Sequence, residues 1–438
     1  MTLRLPEPGP RRDLVLALLL FLLAAAFRLP GLGFPKEEYF DEVYHAKSAR
    51  QYLAGEQPIE WVHPPLAKLL IATGVKAFGY ESWAWRLVPA LAGSLLAPVF
   101  FFLARRALTT ERAALLATLV LLADGVYLVQ SRIAMTNIFA VLFQCTAALF
   151  LLRASRAERL SLGAMSLLGL AIGLAVSTRW TSLLAVAFLG LVLIALRGKR
   201  FFRPRELCLV FLAFAVIPLL LYTASYLPLV ERGQLRVTGS EPNALRSLPD
   251  LKRGVLDLWQ EQRNVWGYHA NLKEPHPYFS EWWKWPWLVR PTWYFYEQKN
   301  DWVRGIVAIG NPALWWLSLP VTLYALWRGI QKRDPRYLFA ATGFLCLYLP
   351  WGLSPRTLNF GHYLFEAIPY ACLSLGLVLD QLWDGASARW LARSYLALLW
   401  LLFFHFLPFL TAFPVPAPWF FYRILGGPQP WSWFAKWI

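Results

Sequence analysis

Long apolar runs recur along the whole chain, separated by short polar stretches. They fall at about 14–30, 84–104, 113–129, 134–152, 161–176, 180–196, 207–227, 305–327, 337–353, 362–382 and 391–412. Each approaches the roughly 17–25 residues a helix needs to cross a bilayer. In hydrocarbon, only helices and closed barrels satisfy their own backbone hydrogen bonds. The pattern therefore predicts an all-α polytopic membrane protein of about eleven transmembrane helices, a single integral membrane domain over 1–438. The first run leads into Arg28 and Pro30 with no small-residue cleavage site, so it reads as a retained span, not a signal peptide.

The polar stretches are not alike. "RRALTTER" (105–112), "RASRAER" (153–159), "RGKRFFRPR" (197–205) and "RGIQKRDPR" (328–336) occupy alternate loops. Arg389 and Arg393 lie in another, and Arg11 and Arg12 precede the first run. With eleven spans all of these share one face, which the positive-inside rule makes cytoplasmic. Two long segments, 31–83 and 228–304, then lie outside, as does the tail 413–438. This reading makes the protein integral to a membrane, with any active site shared between the extracytoplasmic loops and the helix ends.

Composition sharpens that picture. Of 438 residues 58% are hydrophobic and 16% charged, against roughly 25% charged in soluble proteins. The net charge of +17 does not imply nucleic acid, because the basic clusters sit between apolar runs. Cys145, Cys208, Cys346 and Cys372 lie within apolar runs without metal-ligand spacing, and read as small apolar residues. There is no P-loop and no dinucleotide fingerprint.

Ionisable residues at the outer face are the candidate chemistry. "GFPKEEYFDEVYHAKSARQYL" follows the first run directly and contains Asp41 and Glu42. A carboxylate there can serve as a general base, orient a hydroxyl or bind a metal. On a helix, Asp41 and His45 share a face. "HPPLAKLL" adds His63 and Lys68, which could equally anchor the interface, since lysine snorkels. Arg86 and Asp124 fall within apolar runs, where a charge is costly and marks a functional candidate. Arg132, Arg179 and Arg356 each sit in an outer turn, with His362 and Tyr363 close behind the last. Arginine suits bidentate phosphate recognition; the plain alternative is contact with lipid headgroups. The stretch "NVWGYHANLKEPHPYFSEWWKWPWLVRPTWYFY" reads largely as an aromatic belt or interfacial helix, with Arg290 a further anion contact.

Taken in order, "FDEVYHA", "HPPLAKLLIATG", "RLVPALAG", "DGVYLVQSRIAM", "HPYFSEWWKWPWLVRPTWYFY", "GNPALWW" and "YLPW…R…HY" resemble the dolichyl-phosphate-mannose–protein mannosyltransferase family in its bacterial form, over nearly the whole chain. The resemblance implies a GT-C glycosyltransferase fold and inverting transfer of mannose from a polyprenyl-phosphate donor to Ser or Thr of secreted or membrane proteins. It places the family's Asp-Glu pair on Asp41 and Glu42, with Asp41 as base. It places the donor-phosphate contacts on Arg132, Arg179 and Arg356. Where relatives often carry an acid five residues after the arginine of "SR", this chain has Asn137. A divalent cation is therefore carried forward only as a candidate cofactor. The segment 228–304 is too short for the soluble insertion of fungal members. Two other readings compete. One is a GT-C transferase acting on a lipid or cell-wall glycan, like the aminoarabinose transferases. The other is a transporter or flippase, which would want ionisable residues near mid-membrane on several spans.

Overall fold

The computed structural model describes residues 10–237, 241–354, 356, 358–421, 433 and 437. The apolar runs are helices. In chain order these are α1 (Pro10–Arg28), α2 (Glu42–Ala54), α3 (Leu66–Phe78), α4 (Ser82–Leu108), α5 (Glu111–Leu122), α6 (Gly125–Gln130), α7 (Asn137–Ala154) and α8 (Leu162–Val176). There follow α9 (Ser182–Arg197), α10 (Pro204–Phe211), α11 (Ile217–Glu231), α12 (Leu248–Asn271), α13 (Pro312–Lys332), α14 (Pro335–Tyr348), α15 (Ile368–Asp384) and α16 (Arg389–Phe406). Helices α10 and α11 run on through one π-helical turn at 212–216. Four stretches among the described residues are long and apolar enough to cross a membrane: Ser82–Leu108, Asn137–Ala154, Ser182–Phe202 and Pro204–Glu231. The other runs are shorter or more polar and pack as helices among them.

Two boundaries move from the expected ones, each for a local reason. The run 113–129 breaks at Asp124, whose carboxylate accepts from the Tyr127 N–H (3.0 Å), the Asn311 N–H (3.1 Å) and the Trp315 Nε1–H (2.8 Å). Asp124 thus caps α6 and ties it to the start of α13; its buried charge is used for packing. The run 305–327 starts as strand. Residues 302–308 pair antiparallel with 292–299, and 415–416 add to the same edge, giving a three-stranded sheet in the order β1 (Thr292–Lys299), β2 (Trp302–Ala308), β3 (Val415–Pro416). Helix α13 begins only at Pro312, where Asn311 accepts from the Ala313 N–H and proline fits the first helical position.

The segment after α1 folds back as α2 and α3 against α4. Close approach of α3 to α4 needs Gly74, where a Cβ would come within 2.4 Å of the Ala84 carbonyl oxygen; small residues permit such contact between membrane helices. Helix α12 has an exposed apolar stripe of Leu248, Leu251, Val255, Trp259 and Trp266, the first four spaced three or four residues apart and the last two turns further on, so one face is suited to an interface. Its last turn points back over α2.

Candidate active site

Asp41 is the N-cap of α2. The residue before it, Phe40, has φ +52°, an uncommon backbone for a bulky side chain that needs support from its surroundings. That support is the ring of Tyr294 on β1, stacked on Phe40 at 3.9 Å. Gln130 donates to the Tyr294 hydroxyl (2.6 Å) and fixes it in turn. The hairpin thus sets the position of Asp41.

Asp41 lines a cavity of about 350 Å³ with His45, Glu60, His63, Arg179, His269, Arg356 and Tyr363. A second cavity of about 200 Å³ shares His63, Arg179, His269 and Arg356, and continues past Trp180, Trp266, Ala270 and Trp351. The polar chamber therefore opens into an aromatic one, with both arginines in the shared wall. Both guanidinium carbons stand over the Tyr363 ring, Arg179 at 5.5 Å and Arg356 at 5.9 Å.

The two arginines differ in what else they hold. Arg179 is buried; its Nη1 donates to Asn137 Oδ1 (2.6 Å) and its Nε lies 3.4 Å from Glu366 Oε1. Arg356 has no carboxylate partner among the described residues. Its Nη1 contacts His269 Nδ1 and its Nη2 the Tyr363 hydroxyl, each at 3.4 Å, and its Nε is buried without a partner. His269 Nε2 lies 2.9 Å from the Val62 carbonyl. That contact puts the proton on Nε2 and leaves Nδ1 to accept from Arg356.

Glu60 organises the other wall. It accepts from the His63 N–H (3.0 Å), pairs with His63 Nδ1 (2.7 Å) and forms an ion pair with the buried Lys68 ammonium. Lys68 also donates to the Glu60 and His63 carbonyls (3.1 and 2.9 Å). Burial would raise the Glu60 carboxyl, but Lys68 and His63 outweigh it and hold it well below the usual range. Burial pushes Asp41 up to about 6, helped by the charge on Glu60 and opposed by Arg179 and Arg356. Burial, then the neighbouring His63, lowers His269 to about 4, so it stays neutral near pH 7. An acid near 6 among neutral imidazoles matches what a general base needs.

The remaining candidates lie elsewhere. Glu42 is fully buried and takes a bidentate pair of bonds from Arg86 Nε (2.8 Å) and Nη2 (2.7 Å), plus the Ala134 N–H (3.0 Å). Arg132 donates to the Phe27, Arg28 and Pro30 carbonyls and closes the end of α1. Arg290 donates to the Pro277 carbonyl, outside the cavity wall. His362 is buried behind it, stacked on Phe360. Lys68 reaches the site only through Glu60 and the loop carbonyls. Glu60, His269 and Glu366 were not singled out from sequence, and His45 only as sharing a helix face with Asp41. Glu60 had a signal, three residues before His63 and eight before Lys68. Glu366 had another, an acid inside an apolar run. His269 had none, because only folding brings α12 over α2. Among the described residues no three His, Cys, Asp or Glu side chains gather to hold a metal. At the position of the missing acid, Asn137 is engaged with Arg179.

A helical membrane bundle whose outer loops close over an acid, two arginines and an aromatic channel defines a GT-C glycosyltransferase. The solved structures agree on that fold. The yeast Pmt1–Pmt2 protein O-mannosyltransferase complex bound to its sugar donor superposes with a TM-score of 0.79 at 15% identity, covering 98% of this chain and 93% of that one. ArnT from Cupriavidus metallidurans bound to undecaprenyl phosphate gives 0.55 at 17% identity, covering 92% and 73%. The chain belongs to the dolichyl-phosphate-mannose–protein mannosyltransferase family: residues 18–83 and 62–222 match it under that description, and 255–422 match the C-terminal four-transmembrane region of protein O-mannosyltransferases. The polyprenol-phosphate-mannose–protein mannosyltransferase of Mycolicibacterium smegmatis is 29% identical over 86% of this chain and 84% of its own length. That of Mycobacterium tuberculosis is 28% identical over 91% and 88%.

Proposed function

We propose that this protein transfers mannose from a polyprenyl-phosphate donor to Ser or Thr hydroxyls of proteins, at the membrane face opposite its basic loops. The observation that carries the reading is one cavity holding an acid and a cation that lack each other's usual partners. Asp41 makes no side-chain hydrogen bond as N-cap, and Arg356 is in ion-pair contact with no carboxylate among the described residues. A free acid suits a hydroxyl; a free guanidinium suits a phosphate.

The donor tail lies along the aromatic channel of Trp266 and Trp351, with its phosphate at Arg356 and Arg179. The sugar C1 then faces the polar chamber. The Asp41 carboxylate takes the acceptor's hydroxyl proton as that oxygen bonds to C1. The bond between C1 and the phosphate oxygen breaks, and the electron pair leaves on the lipid phosphate. Arg356 stabilises the charge developing there, a preorganised role of the oxyanion type. One displacement at C1 inverts its configuration. Glu60, Lys68 and His63 hold the chamber's shape, and no step is assigned to a metal.

The test is transfer by purified protein in vesicles, given polyprenyl-phosphate-mannose and a Ser/Thr peptide. Mannosylated peptide is the expected product. Asp41→Asn should lose transfer by at least about 100-fold with its thermal midpoint unchanged. An active Asp41→Asn variant refutes Asp41 as the base. Sugar appearing on lipid instead of peptide refutes the protein acceptor.

A further inference from the structure

Arg179 and Arg356 share one wall of the cavity, yet they do not offer the same charge. Behind Arg179 stands Glu366, 4% exposed and 3.4 Å from the Arg179 Nε. More than that ion pair holds it. Its Oε1 accepts from the Thr181 hydroxyl (2.7 Å) and its Oε2 from Gln144 Nε2 (2.9 Å). Gln144 also donates to the Ser182 hydroxyl (3.0 Å). The carboxylate is thus anchored to α7 and to the start of α9.

An acid at this depth is costly, and Arg179 does not need one to be held. The neutral Asn137 and Thr136 already accept from its Nη1, at 2.6 and 3.3 Å. What Glu366 adds is a charge. Arg179, Glu366 and Arg356 together carry one net positive charge, and Glu60 and Lys68 on the facing wall cancel each other.

The phosphate changes its own charge during the proposed transfer. In the donor it is a diester with one negative charge. The acceptor proton passes to Asp41, the bond between C1 and oxygen breaks, and the electron pair stays on the phosphate. The product is a monoester with about 1.5 to 2 negative charges near pH 7. Two unopposed arginines would therefore hold the product more tightly than the donor. A wall with one net positive charge matches the donor and leaves the product's extra charge facing Glu366.

We propose, resting on the donor position given above, that Glu366 tunes the phosphate site to a singly charged lipid phosphodiester and promotes release of the more highly charged lipid phosphate. One unit charge acting at about 12 Å in an effective dielectric of about 20 is worth about 10-fold in an equilibrium constant. Glu366 stands closer than that to any phosphate on Arg179.

The experiment is equilibrium binding of radiolabelled polyprenyl-phosphate-mannose and of polyprenyl phosphate to the full-length protein in nanodiscs, without acceptor peptide. The wild-type protein should bind the donor at least as tightly as polyprenyl phosphate. Glu366→Gln should tighten polyprenyl phosphate more than the donor, moving the ratio of the two Kd values about 10-fold toward the product. Glu366→Asp, which keeps the charge, should keep the wild-type ratio. If Glu366→Gln weakens both lipids by one factor, Glu366 only holds Arg179 and the proposal is overturned. Wild-type protein that prefers polyprenyl phosphate overturns it too, whatever the variants do. Binding of both lipids with an unmoved ratio in Glu366→Gln overturns the role of Glu366 alone. Wild-type protein that binds neither lipid overturns the donor assignment, and the role of Glu366 with it.

Discussion

At the scale of single residues, the cavity sets up two charges with different tasks, and each has its own kinetic signature. Asp41 titrates near 6, raised from its ordinary value, so its basic form is present above that pH and lost below it. Transfer should therefore fall as pH drops through about 6. Glu60 contributes to that raised value through its negative charge. In Glu60→Gln that repulsion is gone, which lowers the Asp41 pKa. The acid limb of kcat/KM should move to lower pH in that variant; a limb that stays put or moves up would rule out the coupling. Arg356 should act on the donor alone. Losing a charge-assisted hydrogen bond costs about 1.5–3 kcal/mol, so Arg356→Ala should lower kcat/KM for the lipid donor by about 10- to 150-fold. The KM for the peptide should not change. A matching rise in peptide KM would move Arg356 from the donor to the acceptor.

At the scale of elements, neighbours in sequence have separated in role. Asp41 and Glu42 are adjacent, yet α2 turns one toward the cavity and the other into the bundle against Arg86. That ion pair is fully dry, with side chains 0% and 1% exposed, and removing one partner of such a pair costs about 3–5 kcal/mol. Glu42→Gln should therefore lower the thermal midpoint clearly, whereas Asp41→Asn should leave it in place. Equal midpoints for the two variants would contradict this division. The sequence allowed the helices to be read because hydrocarbon demands long apolar runs, and it allowed Asp41, Arg179, Arg356 and Tyr363 to be read because charge at an outer turn is unusual. It did not separate Arg132 from Arg179. Both are outer-turn arginines, and only the fold shows Arg132 spent on the carbonyls that end α1. Nor did it reveal His269 or the Tyr294 support under Phe40. Those depend on α12 and the β1–β2 hairpin closing over a helix about two hundred residues earlier, a contact that no local pattern encodes. The hairpin itself was hidden because "WYFYEQKNDWVRGIVA" is as aromatic as an interfacial belt.

At the scale of the whole molecule, the two ends of the bundle are electrically different, and this predicts how it sits in the membrane. The clusters at 105–112, 153–159, 197–205 and 328–336 lie at the ends of α4, α7, α9 and α13. The candidate site lies at the other end, where its arginines are buried or bound within the cavity wall. Translocation retains lysine and arginine in short loops on the cytoplasmic side, so the cavity with Asp41 should open extracytoplasmically, where secreted acceptors are found. Single cysteines test this in a chain whose four native cysteines are replaced. Glu274→Cys, in the exposed stretch after α12, should react with a membrane-impermeant maleimide in intact cells. Arg200→Cys, in the basic loop after α9, should react only once the membrane is opened. Labelling of both in intact cells would break the assumed topology. The reverse pattern would place the cavity in the cytoplasm, where the proposed acceptors would have to be met before export.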